Sequence, residues 1–286
     1  MMIASCNYNH AELHPSERVQ KRVVLHQSFK AIKEKLSGQK KILYLTFGGS
    51  GLWDVLDFVI ALNPIETEIK VLSFETDARI VNEARMSKVY RELNQLSTVS
   101  IEVCKGRFPD DFFGIHRHRE DYDACVIYLD WKDVFKMKHA QDVSDLLGQE
   151  VITKNDFIII TSSMTERVTN APDFGYRHEP LFKRYYGESD SEVRRELFVE
   201  TLLTSKLRRK ETWVGFEREV TPKSVDLLCK YLYKDTSRMG LWLFQVYGSK
   251  SPGKVIERKT FTGFKELAVS PCTGEKQKPT LKLKFK

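Results

Sequence analysis

The chain has 286 residues, of which 41% are hydrophobic and 30% charged, a balance that excludes a disordered or fibrous protein and indicates a globular one. It contains no run of about 18 apolar residues, and its opening residues lack the pattern of a secretory leader, so we predict neither a membrane span nor secretion. The five cysteines are odd in number and widely spaced, which is typical of reduced thiols in a cytoplasmic protein.

The positive charge is concentrated in the C-terminal part of the chain. The formal net charge is +7, but residues 177–286 contain 24 Lys and Arg against 14 Asp and Glu, whereas the rest contains 22 against 25. This asymmetry favours a polyanionic partner for the basic part. Solvated surface lysines that bind nothing are the alternative interpretation.

The first elements follow from the spacing of apolar residues. Ser16–Leu36 repeats them at helical intervals and is predicted to be an amphipathic helix capped by Ser16. Lys40–Phe47 is a short apolar run typical of a buried strand, and the glycines within residues 48–51 break it. Leu52–Leu62 resumes with helical periodicity, so we predict a strand, a glycine turn and a helix in succession.

Strands and helices then alternate along the chain. We predict strands at 69–74, 99–104, 122–129 and 156–163, and helices at 77–94 and 139–147. Because these strands are apolar on both faces, they belong to a parallel sheet that helices cover. The sequence therefore predicts an α/β fold of Rossmann-like type, with a mostly parallel sheet flanked by helices on both faces and its loops after the strands at one edge.

The pattern is looser after the fifth strand. We predict a helical insertion at about 165–212, a helix at Pro222–Tyr233 and a last strand at Gly240–Gly248. The predicted organisation is an N-terminal helical segment (1–38), one domain (39–248) and a basic, partly disordered tail (249–286).

Two features at strand ends indicate nucleotide binding. The glycines of residues 48–51 allow a ligand to approach the backbone and the free N–H groups of the next helix. They do not form a phosphate-binding P-loop, because the Lys-Ser/Thr pair is absent, and they do not form a dinucleotide fingerprint, because Asp54 stands where a third glycine is required. Glu75 ends the second strand, where a carboxylate accepts hydrogen bonds from ribose hydroxyls. The alternatives are an ordinary tight turn and an acid at a helix start, although Asp77 is the better cap.

Four segments together resemble a known family. LYLTFGGSG, VLSFETDARIVNEAR, VSIEVCKGRF and YDACVIYLDW are similar, in this order, to the successive motifs of the class I S-adenosylmethionine-dependent methyltransferase superfamily. The resemblance covers about Lys40 to Ser163 and implies a Rossmann-like fold, S-adenosylmethionine as cofactor and methyl transfer. It implies these cofactor-binding residues: Phe47, Gly48, Gly49 and Gly51 at the methionine part, Glu75 at the ribose, Gly106 and Arg107 beside the adenine, and Asp130 facing the methyl group.

Three positions depart from the family pattern. Phe47 replaces the first glycine, and Leu45 and Thr46 stand where an acid is usual near the end of the first strand. Arg107 replaces an acid that often follows the third strand. These departures leave the predicted fold unchanged but make an inactive methyltransferase-like scaffold the alternative to an enzyme.

Asp130 and Trp131 are the candidate catalytic residues. They follow a predicted buried strand, at the edge where ligands bind in such sheets. The carboxylate of Asp130 is suited to orient a nucleophilic amine or hydroxyl or to take its proton, and Trp131 is suited to stack on a ring. An acidic helix cap followed by a packing tryptophan is the alternative. The histidines show no metal-ligand spacing, so we predict no metal.

A basic and aromatic stretch, residues 174–188, is the candidate surface for a polyanion. The residues proposed to contact nucleic acid are Arg177, Lys183, Arg184, Tyr185, Tyr186, Arg208 and Arg209. Cationic side chains bind phosphates, and neighbouring tyrosines stack on unpaired bases, so RNA or a single strand is favoured. A surface loop anchored by aromatic residues is the alternative.

The sequence therefore predicts a methyltransferase that acts on nucleic acid, with RNA favoured. The alternative is a catalytically inactive scaffold that binds nucleic acid or a protein partner. A nicotinamide-dependent oxidoreductase suits the fold, but the glycine spacing disfavours it.

Overall fold

Strands and helices alternate along the described part of the chain. The computed structural model describes residues 19–64, 66–107, 111, 119–134, 139, 142, 143, 146, 151–163, 224–234 and 238–247. In chain order the elements are α1 (Val19–Lys35), β1 (Lys41–Thr46), α2 (Trp53–Leu62), β2 (Glu68–Glu75), α3 (Ala78–Met86), α4 (Lys88–Leu93), β3 (Val99–Lys105), β4 (Ala124–Val134), β5 (Phe157–Ser163), β6 (Ser224–Lys234) and β7 (Arg238–Tyr247). Four residues between β4 and β5 also have helical backbone, where a helix was predicted: His139, Asp142, Val143 and Leu146.

The strands form one sheet in the order β3-β2-β1-β4-β5-β7-β6. The first five are parallel to one another, while β7 lies antiparallel between β5 and β6. The order reverses between β1 and β4, and ligands bind at the carboxyl ends of strands beside such a switch point. The predicted α/β fold with a mostly parallel sheet is confirmed.

Both faces of the sheet are covered. On one face Tyr44 and Val126 pack with Phe29 of α1 and Phe58 of α2 in the larger core cluster. On the other face, a second cluster joins Leu43 and its neighbours to Val143 and Leu146 of the segment before β5. Since alternate strand residues point to opposite faces, the continuous apolar runs in the sequence are explained by burial on both sides.

The structure corrects three predicted elements. The helix expected at 77–94 is two helices, because Ser87 has extended backbone and caps α4 by accepting from Tyr90 N–H. The helix expected at Pro222–Tyr233 is wrong, since residues from Ser224 onward form β6 and pair with β7. In β6 alternate residues are buried, namely Cys229, Tyr231 and Tyr233, which is the period of a strand. The spacing of the leucines suggested a helical period instead.

The third correction concerns β4, which was expected to end at Leu129. The strand runs on to Val134, so Asp130 and Trp131 lie within it, and Asp130 pairs with Thr161 of β5. The alternative of an acidic helix cap at Asp130 is therefore wrong.

Parts of the predicted organisation lie outside the described residues. These are the residues before 19, including the cap at Ser16, the whole of the insertion at 165–212 and the tail at 249–286. Among the described helices, none combines the length and apolar character needed to cross a membrane.

Candidate functional site

The glycine turn after β1 is bonded to the end of β2. Gly48 N–H donates to Ser73 Oγ at 3.0 Å, and Gly49 N–H donates to Glu75 Oε1 at 2.9 Å. Gly48 has no room for a side chain, because a Cβ there would lie 2.6 Å from Leu52 Cδ2. Gly49 has a φ of +59°, in the left-handed region that favours glycine. The turn therefore needs glycine at both positions, for different reasons.

Glu75 lies at the carboxyl end of β2, beside this turn. The next helix is capped by Asp77, whose carboxylate accepts from Arg79 N–H at 2.8 Å. Glu75 does not serve as that cap, so its carboxylate faces the glycine turn for another reason.

A cavity of about 630 Å³ opens at this edge of the sheet. It is a suitable size for a nucleotide-like molecule. All but one of the predicted cofactor-binding and catalytic residues line it: Phe47, Gly48, Gly49, Gly51, Glu75, Gly106, Asp130 and Trp131. Arg107 is not among the lining residues; its backbone N–H donates to Asp111 Oδ2 in the loop after β3.

Phe47 is one wall of the cavity and does not fill it. Its half-buried side chain packs against the second core cluster, beside strands β1 and β4. The cavity lined by Phe47, Gly49 and Glu75 stays open. This arrangement favours a binding site over a scaffold whose site is filled by its own side chains.

Asp130 is held by donors from two other elements. Lys21 Nζ, from α1, lies 2.5 Å from Asp130 Oδ2, and Thr161 Oγ1, from β5, donates to Asp130 Oδ1. The Lys21 ammonium also lies 5.8 Å from the centre of the Tyr128 ring. Sequence analysis did not identify Lys21, because nothing local links residues 109 positions apart.

Asp54 is a second acid, half-buried in the cavity lining, that the sequence did not assign to the site. Its Oδ2 accepts hydrogen bonds from Tyr44 Oη at 2.9 Å and from Thr46 Oγ1. Burial raises the pKa of Asp54, whereas the two hydroxyl donors and the ammonium of Lys21 oppose that rise. The acid that the family usually has near the end of β1 is absent from this strand. Asp54 of α2 places a carboxylate at the hydroxyl of Thr46 instead.

Arg22 joins α1 to α2 at another side of the cavity. Its guanidinium donates to both carboxylate oxygens of Asp57, at 2.8 Å and 2.6 Å, and lies 5.2 Å from the centre of the Trp53 ring. The side chain of Asp57 is only 6% exposed, so this fork-shaped ion pair holds α1 in place beside the cavity.

Trp131 forms an aromatic wall with His139. The two rings stack with centres 4.4 Å apart and planes 9° apart, and both line the cavity. The predicted stacking role for Trp131 is thus partly taken by a residue of the chain itself.

The predicted nucleic-acid residues lie outside the described residues. These are Arg177, Lys183, Arg184, Tyr185, Tyr186, Arg208 and Arg209. As for metals, no group of three or more His, Cys, Asp or Glu side chains suited to hold an ion occurs in the part of the chain that the structure describes.

Comparison with known proteins returns structural similarities alone. No protein-family model matches the chain, and no curated protein matches it in sequence. Many solved structures that resemble it are S-adenosylmethionine-dependent methyltransferases. A Streptococcus mutans protein assigned to that class is 12% identical, with a TM-score of 0.43 over 80% of this chain and 50% of that one.

Two further similar structures have methyltransferase names. Podospora anserina PaMTH1, solved with S-adenosylhomocysteine bound, is 13% identical, with a TM-score of 0.41 over 84% of this chain and 82% of that one. The CurJ carbon methyltransferase is 12% identical, with a TM-score of 0.43 over 79% of this chain and 54% of that one. The chain thus spans about half the length of the S. mutans and CurJ proteins. These are distant similarities, and the fold assignment rests on the strand order and register described above.

Proposed function

We propose that this chain binds S-adenosylmethionine in the cavity and transfers its methyl group. The observation that carries the proposal is the arrangement at the carboxyl edge of the sheet: the glycine turn and Glu75 lie on one side of the cavity, and Asp130 lies on the other. Rossmann-like sheets bind nucleotides at this edge, beside the point where the strand order reverses.

The residues present fit this cofactor. Glu75 is placed to accept hydrogen bonds from ribose hydroxyls, and Gly48 leaves the backbone bare where a ligand approaches closely. Phe74 and Gly106 are neighbours in the cavity lining, on the side where we expect the adenine ring. When bound, the cofactor supplies a methyl group carried on a positively charged sulfur. The carboxylates of Asp54 and Asp130, both in the cavity lining, are suited to face that positive charge.

Titration calorimetry with S-adenosylmethionine and its demethylated product tests the cofactor. We expect wild-type protein to bind both, and Glu75→Gln to weaken binding about tenfold, because a charged acceptor of hydrogen bonds is replaced by a neutral one. Glu83→Gln is the matched control, since Glu83 lies on α3 with a side chain 49% exposed and forms only a loose ion pair with Arg79. Folded protein that binds neither compound would overturn the proposal.

We further propose that the acceptor is a nucleic acid, with RNA or a single strand favoured. The support is the basic part of the sequence, residues 177–286, together with the tyrosines at 185 and 186. Each phosphate contact releases counterions, so binding should weaken steeply as salt rises.

The spacing of the cysteines, and free thiols at Cys104, Cys125 and Cys229, support a cytoplasmic location.

A quadruple variant tests the nucleic-acid surface. Replacing Lys183, Arg184, Arg208 and Arg209 by Ala should weaken binding to single-stranded RNA and flatten its dependence on salt. The measurement is fluorescence anisotropy at two salt concentrations. Equal binding by the variant, or no salt-dependent binding by wild type, would show that this surface binds no nucleic acid.

A further inference from the structure

The end of β2 holds the turns that follow both of its neighbouring strands. Ser73 pairs with the last residue of β1, and its Oγ accepts a hydrogen bond from Gly48 N–H at 3.0 Å. The carboxylate of Glu75 accepts from Gly49 N–H at 2.9 Å. The backbone carbonyl of Glu75 accepts from Gly106 N–H, after β3, at 3.0 Å. Since all three glycines line the cavity, two residues of one strand hold the turns on this side of it.

Ser73 acts on the glycine turn without lining the cavity. Its side chain is fully buried, whereas Gly48, Gly49 and Ser50 are in the cavity lining. Both backbone groups of Gly48 are bound within the protein, because its N–H donates to Ser73 and its carbonyl accepts from Leu52 N–H at 3.1 Å. A glycine has many accessible conformations, and these two bonds select one of them. The hydroxyl of Ser73 therefore influences the cavity through the backbone of the turn.

We propose that Ser73 is a positioning residue, which holds the glycine turn in the conformation that binds the amino-acid part of S-adenosylmethionine. This inference rests on the proposed methyltransferase function. It assigns separate tasks to two residues of β2: Glu75 contacts the ribose directly, whereas Ser73 acts through Gly48 and does not touch the cofactor.

The strand order gives the direction in which the cofactor lies. β3, β2, β1 and β4 are consecutive in the sheet. They contribute to the cavity lining, in the same order, Gly106, Glu75, residues 48–51 and Asp130. With the ribose at Glu75 and the adenine beside Gly106, the opposite side of the ribose, which carries the sulfur and the amino acid, extends towards the glycine turn.

Freeing the turn weakens binding of one part of the ligand. In Ser73→Ala the acceptor for Gly48 N–H is absent, so the turn gains conformations that a ligand must exclude on binding. Adenosine ends at the ribose, beside Glu75, whereas S-adenosylhomocysteine continues to the turn. The two ligands should therefore respond differently to the same substitution.

Calorimetry on the full-length protein tests this difference, with adenosine measured by competition against S-adenosylhomocysteine. We expect Ser73→Ala to weaken binding of S-adenosylhomocysteine about tenfold and binding of adenosine by less than about twofold. Ser73→Thr keeps the hydroxyl in a residue that suits a strand, and it should retain the wild-type ratio of the two affinities. A merely structural role would lower the fraction of folded protein and so weaken both ligands by the same factor.

Three further variants serve as comparisons. Ser28→Ala removes another fully buried serine hydroxyl, which donates to Val24 O within α1, and should leave the ratio of affinities unchanged. Glu75→Gln should weaken adenosine as well as S-adenosylhomocysteine, because both contain the ribose. Ser73→Cys keeps the size of the side chain with a weaker acceptor, and it replaces Ser73→Ala in the test if that variant does not fold.

Amide hydrogen exchange tests the same bond without any ligand. We expect exchange at Gly48 N–H to be about tenfold faster in Ser73→Ala than in wild type, because its acceptor is lost. Exchange at Gly106 N–H, which donates to Glu75 O on the other side of β2, should not change. Unchanged exchange at Gly48 would show that Ser73 does not hold the turn, and would overturn the inference.

The binding results separate failure of this inference from failure of the proposed function. A ratio of affinities that Ser73→Ala leaves unchanged, in protein that binds S-adenosylhomocysteine, would overturn the positioning role alone. Adenosine that does not compete in wild type would overturn the placement of the ribose at Glu75, and the positioning role with it. Wild-type protein that binds neither S-adenosylmethionine nor S-adenosylhomocysteine would overturn the proposed function itself.

Discussion

Each end of the sheet contains a carboxylate shielded from water, fully at one end and partly at the other, and the two differ in how many donors the protein supplies. At the amino end, Asp156 is fully buried and accepts from Arg119 and from the backbone N–H groups of Cys125 and Thr153, at 2.7 Å and 2.6 Å for the two N–H groups. At the carboxyl end, Asp54 receives two hydroxyl donors on Oδ2, and among the described residues no donor reaches Oδ1.

The hydroxyl of Tyr128, which lies near this second carboxylate, also has unused hydrogen-bonding capacity. Tyr128 is 2% exposed, and its hydroxyl makes no hydrogen bond to any described residue, since the nearby Thr161 hydroxyl donates to Asp130. Buried polar groups that the protein satisfies itself stabilise the fold, whereas buried groups left with unused capacity beside a cavity indicate a ligand. The ion pair of Arg119 and Asp156 at the amino end, called the clamp below, is therefore structural. The polar groups at the carboxyl end are instead suited to bind a ligand.

The largest effect on stability is expected from removing Arg119 from the clamp. Arg119→Met leaves the carboxylate of Asp156 buried without its counter-ion, so the free energy of unfolding should fall by about 3–5 kcal/mol. Urea denaturation measures the loss, and Arg79→Met, whose side chain is 77% exposed, is the control with an expected change near zero. A loss for Arg119→Met as small as that of the control would contradict the structural role of the clamp.

Removing the cation of the ion pair at the cavity end should lower the free energy of unfolding by less. Lys21→Met also removes the cation of an ion pair, but the side chains of this pair are 13% and 16% exposed, against 7% and 0% for Arg119 and Asp156. We expect the free energy of unfolding to fall by about 1–2 kcal/mol, because the carboxylate regains some hydration from the cavity. If urea denaturation shows a loss as large as that of Arg119→Met, the two ends do not differ in the way proposed.

Asp54 should show a smaller effect that depends on pH. Burial holds its folded-state pKa above the ordinary 3.8, so the folded protein binds this proton more tightly than the unfolded chain does. Its ionisation therefore lowers stability as the pH rises from 3.8 through the raised value. Asp54→Asn removes this cost, so we expect its stability relative to wild type to rise between pH 4 and pH 7. Urea midpoints at the two pH values measure the gain, and a relative loss at pH 7 would contradict the burial argument.

The smallest effect is expected at a surface pair on the same sheet. Lys70 and Glu102 lie on adjacent strands with Nζ and Oε2 3.0 Å apart, and the Glu102 side chain is 56% exposed. Lys70 lowers the pKa of Glu102, so the contribution is present at neutral pH and is lost as the pH falls through that lowered pKa. Glu102→Gln should change the free energy of unfolding by about 0.5 kcal/mol or less at neutral pH. A larger change would show that the exposure of an ion pair does not determine how much it contributes to the stability of this protein.

The sequence was sufficient to predict what depends on local periodicity. The first five strands, the glycine turn and the position of Glu75 follow from short-range patterns, and the structure has them in the expected order, although β4 runs on to Val134. β6 was mistaken for a helix because its strand character comes from pairing with β7 and from burial of alternate residues, neither of which a leucine spacing reveals.

The site was predicted less completely than the fold. Lys21 and Arg22 reach the cavity through packing of α1 on α2, a contact between segments that no local pattern connects. Asp54 did carry a signal, since it interrupts the glycine pattern, but the sequence alone could not show that its carboxylate meets Thr46 and stands in for the acid missing from β1. The role of Arg107 was suggested by family resemblance, and its side chain does not line the cavity.

The extension of β4 through Asp130 has a consequence for the entropy of binding. Loop residues that form a site must be ordered when a ligand arrives, and that ordering weakens affinity by about 1–2 kcal/mol for each residue fixed. Asp130 already pairs with Thr161 across the sheet, with its backbone and its carboxylate held before any ligand enters. A ligand that enters the cavity would therefore meet a carboxylate that is already held in place, and we expect amide hydrogen exchange at residue 130 to be equally slow with and without ligand.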